Sequence, residues 1–456
     1  MSARKACSCR DYSRSELLRT AVSEAGRGLP SIEPGMPRPA GTGLSRRSFL
    51  IRSAGMALTV YGAAALAPRS FEEGIARAMA SPPTDPILVS VFLDGGADSL
   101  SVLAPVGDVR YAGLRPTLKQ APNEGTAFAE DPTLRWHPKA GPLATLHGEG
   151  KVTVFPAIGY DDANQSHFTS RHYWEVGEVN PQGRVGWLGR YLDQHGAPDN
   201  PLQGLSLGYS LFPALASGSV PVAAVASPEE YDFPAPGVWD PIEPLMHDAF
   251  GALGGLSGGD PALQGARDAA ASSETLRQQM SSLGSIQEPP GYPTGDEFPK
   301  RLAAIATMLH AGLPLRCVAL SGPGGYDTHE DEHATLDDNL DVLSRSLLAF
   351  QRDLEQRGLD DRVLVHVWSE FGRRPEENNG GTDHGAGGTS FLIGKRVTGT
   401  MIGEFPGLAT LDATDNLRHT ADFRAVYCSM LEQWLGVDPS PIIPGAAGFP
   451  RPTLVT

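Results

Sequence analysis

Apolar residues recur along this 456-residue chain at two spacings, and the order in which those spacings alternate predicts the architecture. "ILVSVFL" (Ile87–Leu93) is a continuous apolar run rich in β-branched residues, the mark of a strand buried on both faces. "VTVFPAI" (Val152–Ile158) predicts a second strand, with Pro156 placing it near a sheet edge. "PKRLAAIATMLHAG" predicts a helix that opens on Pro299 and stops at Gly312, and "LRCVALSG" (Leu315–Gly322) predicts a strand. Leu336, Leu340, Leu343, Leu347, Phe350 and Leu354 then recur at steps of four and three. They form one stripe of a long helix, closed by Gly358. "RVLVHVW" (Arg362–Trp368) and "TSFLI" (Thr389–Ile393) read as strands, and Phe423, Val426, Tyr427, Met430, Leu431 and Trp434 mark a last helix ending at Gly436. The alternation implies an α/β fold, a mostly parallel sheet with helices on both faces. Residues 225–298 interrupt it. They are rich in Gly, Pro and Ser around one helix near Asp268–Met280, and read as an inserted cap within a single domain spanning 81–456.

The first eighty residues follow a different pattern. "SRRSFLIRSAG" (Ser45–Gly55) pairs two arginines ahead of Phe49 and Leu50, and a weakly apolar run from Ala54 to Ala67 follows. In "ARAMASPP", Ala78 and Ala80 supply small residues at −3 and −1. This is the pattern of a twin-arginine secretion signal over residues 45–80, cleaved near Ala80, which places the mature protein in the periplasm or outside the cell. Residues 1–44 are polar and Pro- and Gly-containing, and read as a disordered extension. No later run reaches the roughly 18 apolar residues a spanning helix needs.

Charge sharpens the picture. The formal net charge is −16, and taking the 12 basic and 6 acidic groups of residues 1–80 from totals of 37 and 53 leaves −22. So acidic a surface argues against nucleic acid and anionic membranes as partners. Cys7 and Cys9 leave with the signal. Cys317 and Cys428 lie in apolar surroundings and read as buried thiols, with a disulfide between them the alternative in an oxidising compartment.

In a parallel sheet, functional groups gather in the loops at the carboxyl ends of strands. After Leu93 comes "DGGADSLS", with Asp94 and Asp98; after Ile158 comes "GYDDANQSHFTSRHYWE", with Ser166, His167 and His172. After Leu320 comes "SGPGGYDTHEDEH", with Asp327, His329 and His333; after Trp368 comes "SEFGRRPEENNGGTDHGAGG", with Glu370, Arg373, Asp383 and His384. Four predicted strands therefore deliver carboxylates, imidazoles and a hydroxyl to one edge. Alternate residues of an extended loop share a side, so Asp327 and His329 can grip one ion, with His384 as a third ligand from the neighbouring loop. Imidazole with carboxylate suits zinc, manganese or iron better than calcium. Plainer roles exist for each: Asp94 and Asp98 as turn or cap residues, Ser166 as a helix N-cap, His333 as a structural residue, Glu370 with Arg373 as a buried ion pair. "GLSLG" (Gly204–Gly208) matches the nucleophile elbow of serine esterases, but a turn precedes Ser206 and a proline follows it.

These motifs, with "FLDGGADSLSVLAPVGDVRYAGLRPTL", "GWLGRYLD" and "TADFRAVYCSMLEQWLG", resemble a secreted bacterial family, domain-of-unknown-function family 1501, usually carrying a twin-arginine signal. The family is grouped with the alkaline phosphatase and sulfatase superfamily. That resemblance implies an alkaline phosphatase-like fold holding one or two divalent ions (zinc, manganese, iron or calcium) and a nucleophile at the carboxyl edge of the sheet. It implies Asp94 or Asp98 as the first ligand, Ser166 as nucleophile, and Asp327 with His329 or His333 as an Asp…His pair. Glu370 falls where the superfamily has the Asp of an Asp-His pair, Phe371 where it has the His, and His384 matches the final ligand, with Asp383 beside it. Arg373 or Arg374 would steady the anion. The implied substrate is an anionic small-molecule or polymer ester of phosphate or sulfate. The alternatives are a non-catalytic extracellular binding or assembly protein on the same fold, and a serine esterase using Ser206.

Overall fold

The structure is a computed structural model that describes residues 35–41, 50–53, 56–61, 68–80, 85–208, 210–225 and 291–456, with scattered positions between 242 and 253. The arginine pair at 46–47, the helix expected near 268–280 and most of the cap at 225–298 lie outside the described residues.

One ten-stranded sheet organises the chain. Its strands are β1 (Leu50–Ser53), β2 (Met56–Tyr61), β3 (Ile87–Phe92), β4 (Val152–Gly159), β5 (Gly204–Leu207), β6 (Val222–Val225), β7 (Cys317–Ser321), β8 (Val363–Trp368), β11 (Gly388–Ile393) and β12 (Ala421–Asp422). A separate hairpin, β9 (Arg373–Asn378) and β10 (Gly381–His384), is inserted between β8 and β11. Across the sheet the order is β1-β2-β6-β5-β7-β3-β8-β11-β4-β12. From β6 through β8 every pairing is parallel. Beyond β8, β11 is antiparallel to both β8 and β4. This reversal matters for the site: a loop that precedes an antiparallel strand reaches the same edge as a loop that follows a parallel one. Pro156 sits where the β11–β4 register shifts, so its missing N–H costs no ladder bond.

Side-chain alternation on β3 divides the core. Ile87, Val89 and Val91 join Leu302, Leu340, Leu343 and Leu347 on one face, and Leu88 and Phe92 join Trp174, Leu188, Phe423 and Tyr427 on the other. The first face is covered by α2 (Gly141–Gly148), α5 (Glu297–His310) and α6 (Glu332–Arg357); the Leu stripe of α6 is buried throughout, and its end is Gly358 in the left-handed conformation. The second is covered by α3 (His167–Val176), α4 (Trp187–His195) and α7 (Phe423–Ser429). Where the spacing predicts one helix to Trp434, α7 gives way to a π-helical turn over Met430–Trp434. Cys317 and Cys428 are buried free thiols.

The N-terminal region departs from expectation. β1 and β2 form a hairpin whose second strand pairs antiparallel with β6, and α1 (Pro68–Ala80) buries Phe71 and Ile75. Part of the expected signal thus extends the sheet's edge; a short run rich in apolar and β-branched residues can pair as a strand as well as serve as a leader core. Within the segment 1–44 expected as disordered, Gly41 donates its N–H to the Arg184 carbonyl at 3.0 Å, and Arg184 bonds the Arg38 carbonyl at 2.8 Å. Among the described residues no helix is long and apolar enough to cross a membrane.

Candidate metal centre

Three imidazoles converge on one carboxylate oxygen. Around Oδ1 of Asp327 lie Nε2 of His329 at 3.0 Å, of His384 at 3.3 Å and of His167 at 3.4 Å. His329 Nε2 and His384 Nε2 are themselves 3.1 Å apart. Ligands about 2.0–2.2 Å from a tetrahedral zinc-type ion stand about 3.3–3.6 Å from one another, so this crowding is close to the spacing such an ion sets. Among the described residues, His167, Asp327 and His384 form the one group whose ligand atoms all lie within 4.8 Å of each other.

The ring atoms facing away are held too. His167 donates Nδ1–H to Glu370 Oε1 at 2.7 Å, and His384 donates Nδ1–H to the Gln165 carbonyl at 2.8 Å. Nδ1 of His329 lies 3.6 Å from Asp383. Fixing the outer nitrogen of His167 and His384 leaves the Nε2 lone pair of each neutral ring turned inward, the arrangement by which metal sites orient their histidines.

Local sequence explains the placement. Ser166 is the N-cap of α3 with extended backbone, so His167 begins the helix at the carboxyl edge of β4. Asp327 and His329 follow β7, whereas His384 ends the hairpin that leads into antiparallel β11. Glu370 follows β8 and is wholly buried. Its carboxylate accepts the N–H groups of Gly95 at 3.0 Å and Gly96 at 3.1 Å, and the Ser369 hydroxyl at 3.0 Å. That approach depends on Gly96, whose φ is +76° and whose added Cβ would lie 2.4 Å from the Phe371 ring. Gly96→Ala is expected to lower unfolding free energy by about 1–3 kcal/mol, read from urea denaturation, through strain and overpacking together.

Electrostatics set the protonation states. Burial opposes the charge on Asp327, but the hydrogen bonds it accepts, first from His167 and then from His329, overcome it and hold the carboxyl far below its usual range. Burial likewise works against a charged His167, yet its bonds to Asp327 and Glu370 raise it to about 9. Burial lowers His384 to about 4, leaving it neutral at pH 7. A group raised from 6.5 to about 9 adds stability fully present below pH 6.5 and lost as pH rises through 9. A divalent ion needs His167 deprotonated. The gap in melting temperature between metal-loaded and metal-free protein is therefore expected to widen from pH 6.5 to 9, measured by calorimetry.

Not every candidate meets at this point. Glu370 stands behind His167 with both oxygens occupied, as a support for that ring. Asp98 belongs to a separate buried cluster, paired with Arg115 at 2.6 and 3.0 Å. Asp94 is half-buried in the loop after β3, and its carbonyl accepts the Tyr326 N–H. Asp383 is exposed behind His329. Ser166 is half-buried between Gln165 and His167, both of which touch the centre. Arg373 is fully buried and does not pair with Glu370. It grips Asp327 at 2.6 Å and donates to the carbonyls of Gly95, Gly96, Tyr326 and Thr382, so its donors are spent on the protein. Arg374 is half-buried and touches the His384 carbonyl at 3.3 Å. His333 lies elsewhere, bonded to the Thr117 carbonyl. Ser206 is buried within β5, its hydroxyl donating to the Ser210 carbonyl.

His167 escaped the assignment of ligands from sequence, because Ser166 drew attention as the nucleophile. The signal was its place at the first position of a helix that starts from the carboxyl edge of the sheet. Phe371 packs its ring 5.0 Å from His167 and 4.9 Å from His384.

An α/β sheet with a histidine–carboxylate centre at its carboxyl edge is the class that fold and site define. The profile of the family described as "Protein of unknown function (DUF1501)" matches residues 265–453. No curated protein matches the chain. Among solved structures, Ps i-CgsB is similar at a TM-score of 0.36 and 11% identity, covering 79% of this chain and 75% of that one. The same protein in complex with k-i-k-neocarrahexaose scores 0.33 at 11% identity, covering 80% and 75%. The PsFucS1 sulfatase from Pseudoalteromonas sp. scores 0.33 at 9% identity, covering 81% and 71%.

Proposed function

We propose that this chain is an exported, divalent-metal-dependent hydrolase of phosphate or sulfate esters, built on an alkaline phosphatase-like fold with Ser166 as nucleophile. One observation carries the reading: three Nε2 atoms meet one oxygen of Asp327 while acceptors hold the rings from behind. That donor set fits zinc, manganese or iron. A bound ion there supplies Lewis-acid polarisation of an ester oxygen.

The chain's own groups do the rest. Ser166 stands at the start of a ten-residue helix, where backbone N–H groups and the helix dipole favour a bound anion. Its hydroxyl attacks in line, the ester alcohol leaves, and water discharges the seryl intermediate. Arg374 keeps part of its guanidinium for the anion, since Arg373 is spent on Asp327 and four carbonyls. The twin-arginine motif supports export.

A second reading, a non-catalytic exported binding protein on the same fold, is favoured by the commitment of Arg373, which leaves the centre without a buried cation reserved for an anionic ester. Turnover of p-nitrophenyl phosphate and p-nitrophenyl sulfate by the metal-loaded protein separates the two. We expect hydrolysis of at least one ester, falling to background in Ser166→Ala and persisting in Ser206→Ala. Hydrolysis unaffected by Ser166→Ala would remove Ser166 from its role.

A further inference from the structure

Behind the centre lies a second buried polar cluster that the proposed mechanism does not use. Glu332, at the start of α6, is fully buried. Its Oε2 accepts the hydroxyl of Thr382 at 2.7 Å and that of Thr328 at 3.2 Å, while Oε1 accepts the Ser101 hydroxyl at 3.2 Å. Arg115 Nη1 lies 3.9 Å from the same carboxyl and is held in turn by Asp98. Thr328 stands between Asp327 and His329, and Thr382 stands two residues before His384.

One carboxyl therefore grips two of the three loops that bring ligands to the centre, each within two residues of a ligand. The backbone repeats the link, with Thr382 N–H donating to the Thr328 carbonyl and Glu332 N–H to the Gly380 carbonyl, both at 3.0 Å. The hairpin comes this close because residue 381 is glycine; a Cβ there would lie 2.2 Å from the His329 carbonyl carbon. Nothing else in the cluster faces solvent: Asp98, Arg115, Ser101, Thr328 and Thr382 are all buried. A surplus of stability is a poor account of so enclosed a network, since buried charges are costly to assemble. Its worth lies in geometry.

We infer that Glu332 is a positioning residue for the metal centre, holding the Asp327–His329 loop at a fixed separation from the hairpin that carries His384. The inference rests on the metal-dependent reading of that centre. Support for the outer parts of a metal site typically changes affinity by about 10–100-fold. Burial and the charge of Asp98 raise the Glu332 carboxyl to about 8, so it is largely neutral at pH 7 and glutamine is a close replacement.

The test is cobalt(II) titration of the metal-free full chain, followed by its visible absorption band and by melting temperature. Wild type and Glu332→Gln are expected to bind one equivalent with dissociation constants within about threefold of each other. Glu332→Ala and Thr382→Val are expected to bind about tenfold or more weakly, with a shifted cobalt band, in protein that remains folded. If Glu332→Ala fails to fold, Thr382→Val, which removes one hydroxyl at nearly constant volume, decides the matter alone. Unchanged affinity and an unchanged band in folded Thr382→Val would overturn the inference while wild-type binding left the metal centre standing. Absence of binding by wild type would overturn the centre itself, and the brace with it.

Discussion

Replacing Asp327 with alanine is expected to abolish stoichiometric binding of zinc or cobalt and, with it, any ester hydrolysis. The carboxylate is the common point of the three imidazoles. The metal-free protein should suffer as well. Arg373 is fully buried and loses its one carboxylate partner among the described residues in the variant, while His167 loses one of the two anions that hold it charged. Removing one partner of a buried ion pair costs about 3–5 kcal/mol; four carbonyls still accept from Arg373, so the lower end of that range is expected. Urea denaturation of metal-free protein reads this, and metal analysis after dialysis reads the first effect. Full retention of one metal equivalent in Asp327→Ala would move the centre elsewhere.

Glu370→Gln should weaken metal binding by about 10–100-fold without removing a ligand. The carboxylate receives His167 Nδ1–H and so makes Nε2 a better donor and fixes its direction. The amide keeps the shape but not the charge. Its NH2 group also faces the Gly95 and Gly96 N–H groups or His167, so at least one buried donor is left without an acceptor, at about 1–3 kcal/mol. His167 should also titrate lower in the variant, because one of the groups raising it has lost its charge. Imidazole proton shifts followed by NMR against pH, in the metal-free protein, check this last effect.

Much of the architecture was legible because burial on both faces leaves a plain record. The runs at Ile87–Leu93 and Arg362–Trp368 and the Leu stripe of α6 each became the element their spacing predicts. The direction of a strand leaves no such record. "TSFLI" reads the same parallel or antiparallel, and the reversal of β11 became visible only from its partners. The same limit applies to the site. Chain order and strand ends brought Asp327, His329 and His384 to one edge, but ranking carboxylates within that edge depended on side-chain direction. Glu370 and Asp98 sit one loop from the centre and still turn away, toward backbone N–H groups and toward Arg115. Spacing could not tell those two from Asp327. His167 was hidden for the opposite reason: a residue on the first turn of a helix reads as part of the helix until the ring is placed. The apolar run before residue 68 shows a third limit, since its residues suit a leader core and an edge strand equally well.

The claim on which the account turns is that His167, Asp327 and His384 bind one ion together. Metal-free protein should be loaded with zinc, dialysed, and analysed for zinc per chain beside His167→Ala and His384→Ala. One equivalent in wild type at free zinc well above its dissociation constant, with affinity at least tenfold weaker in each variant, is the expected result. Less than a tenth of an equivalent in wild type, or full occupancy in both variants, would contradict it.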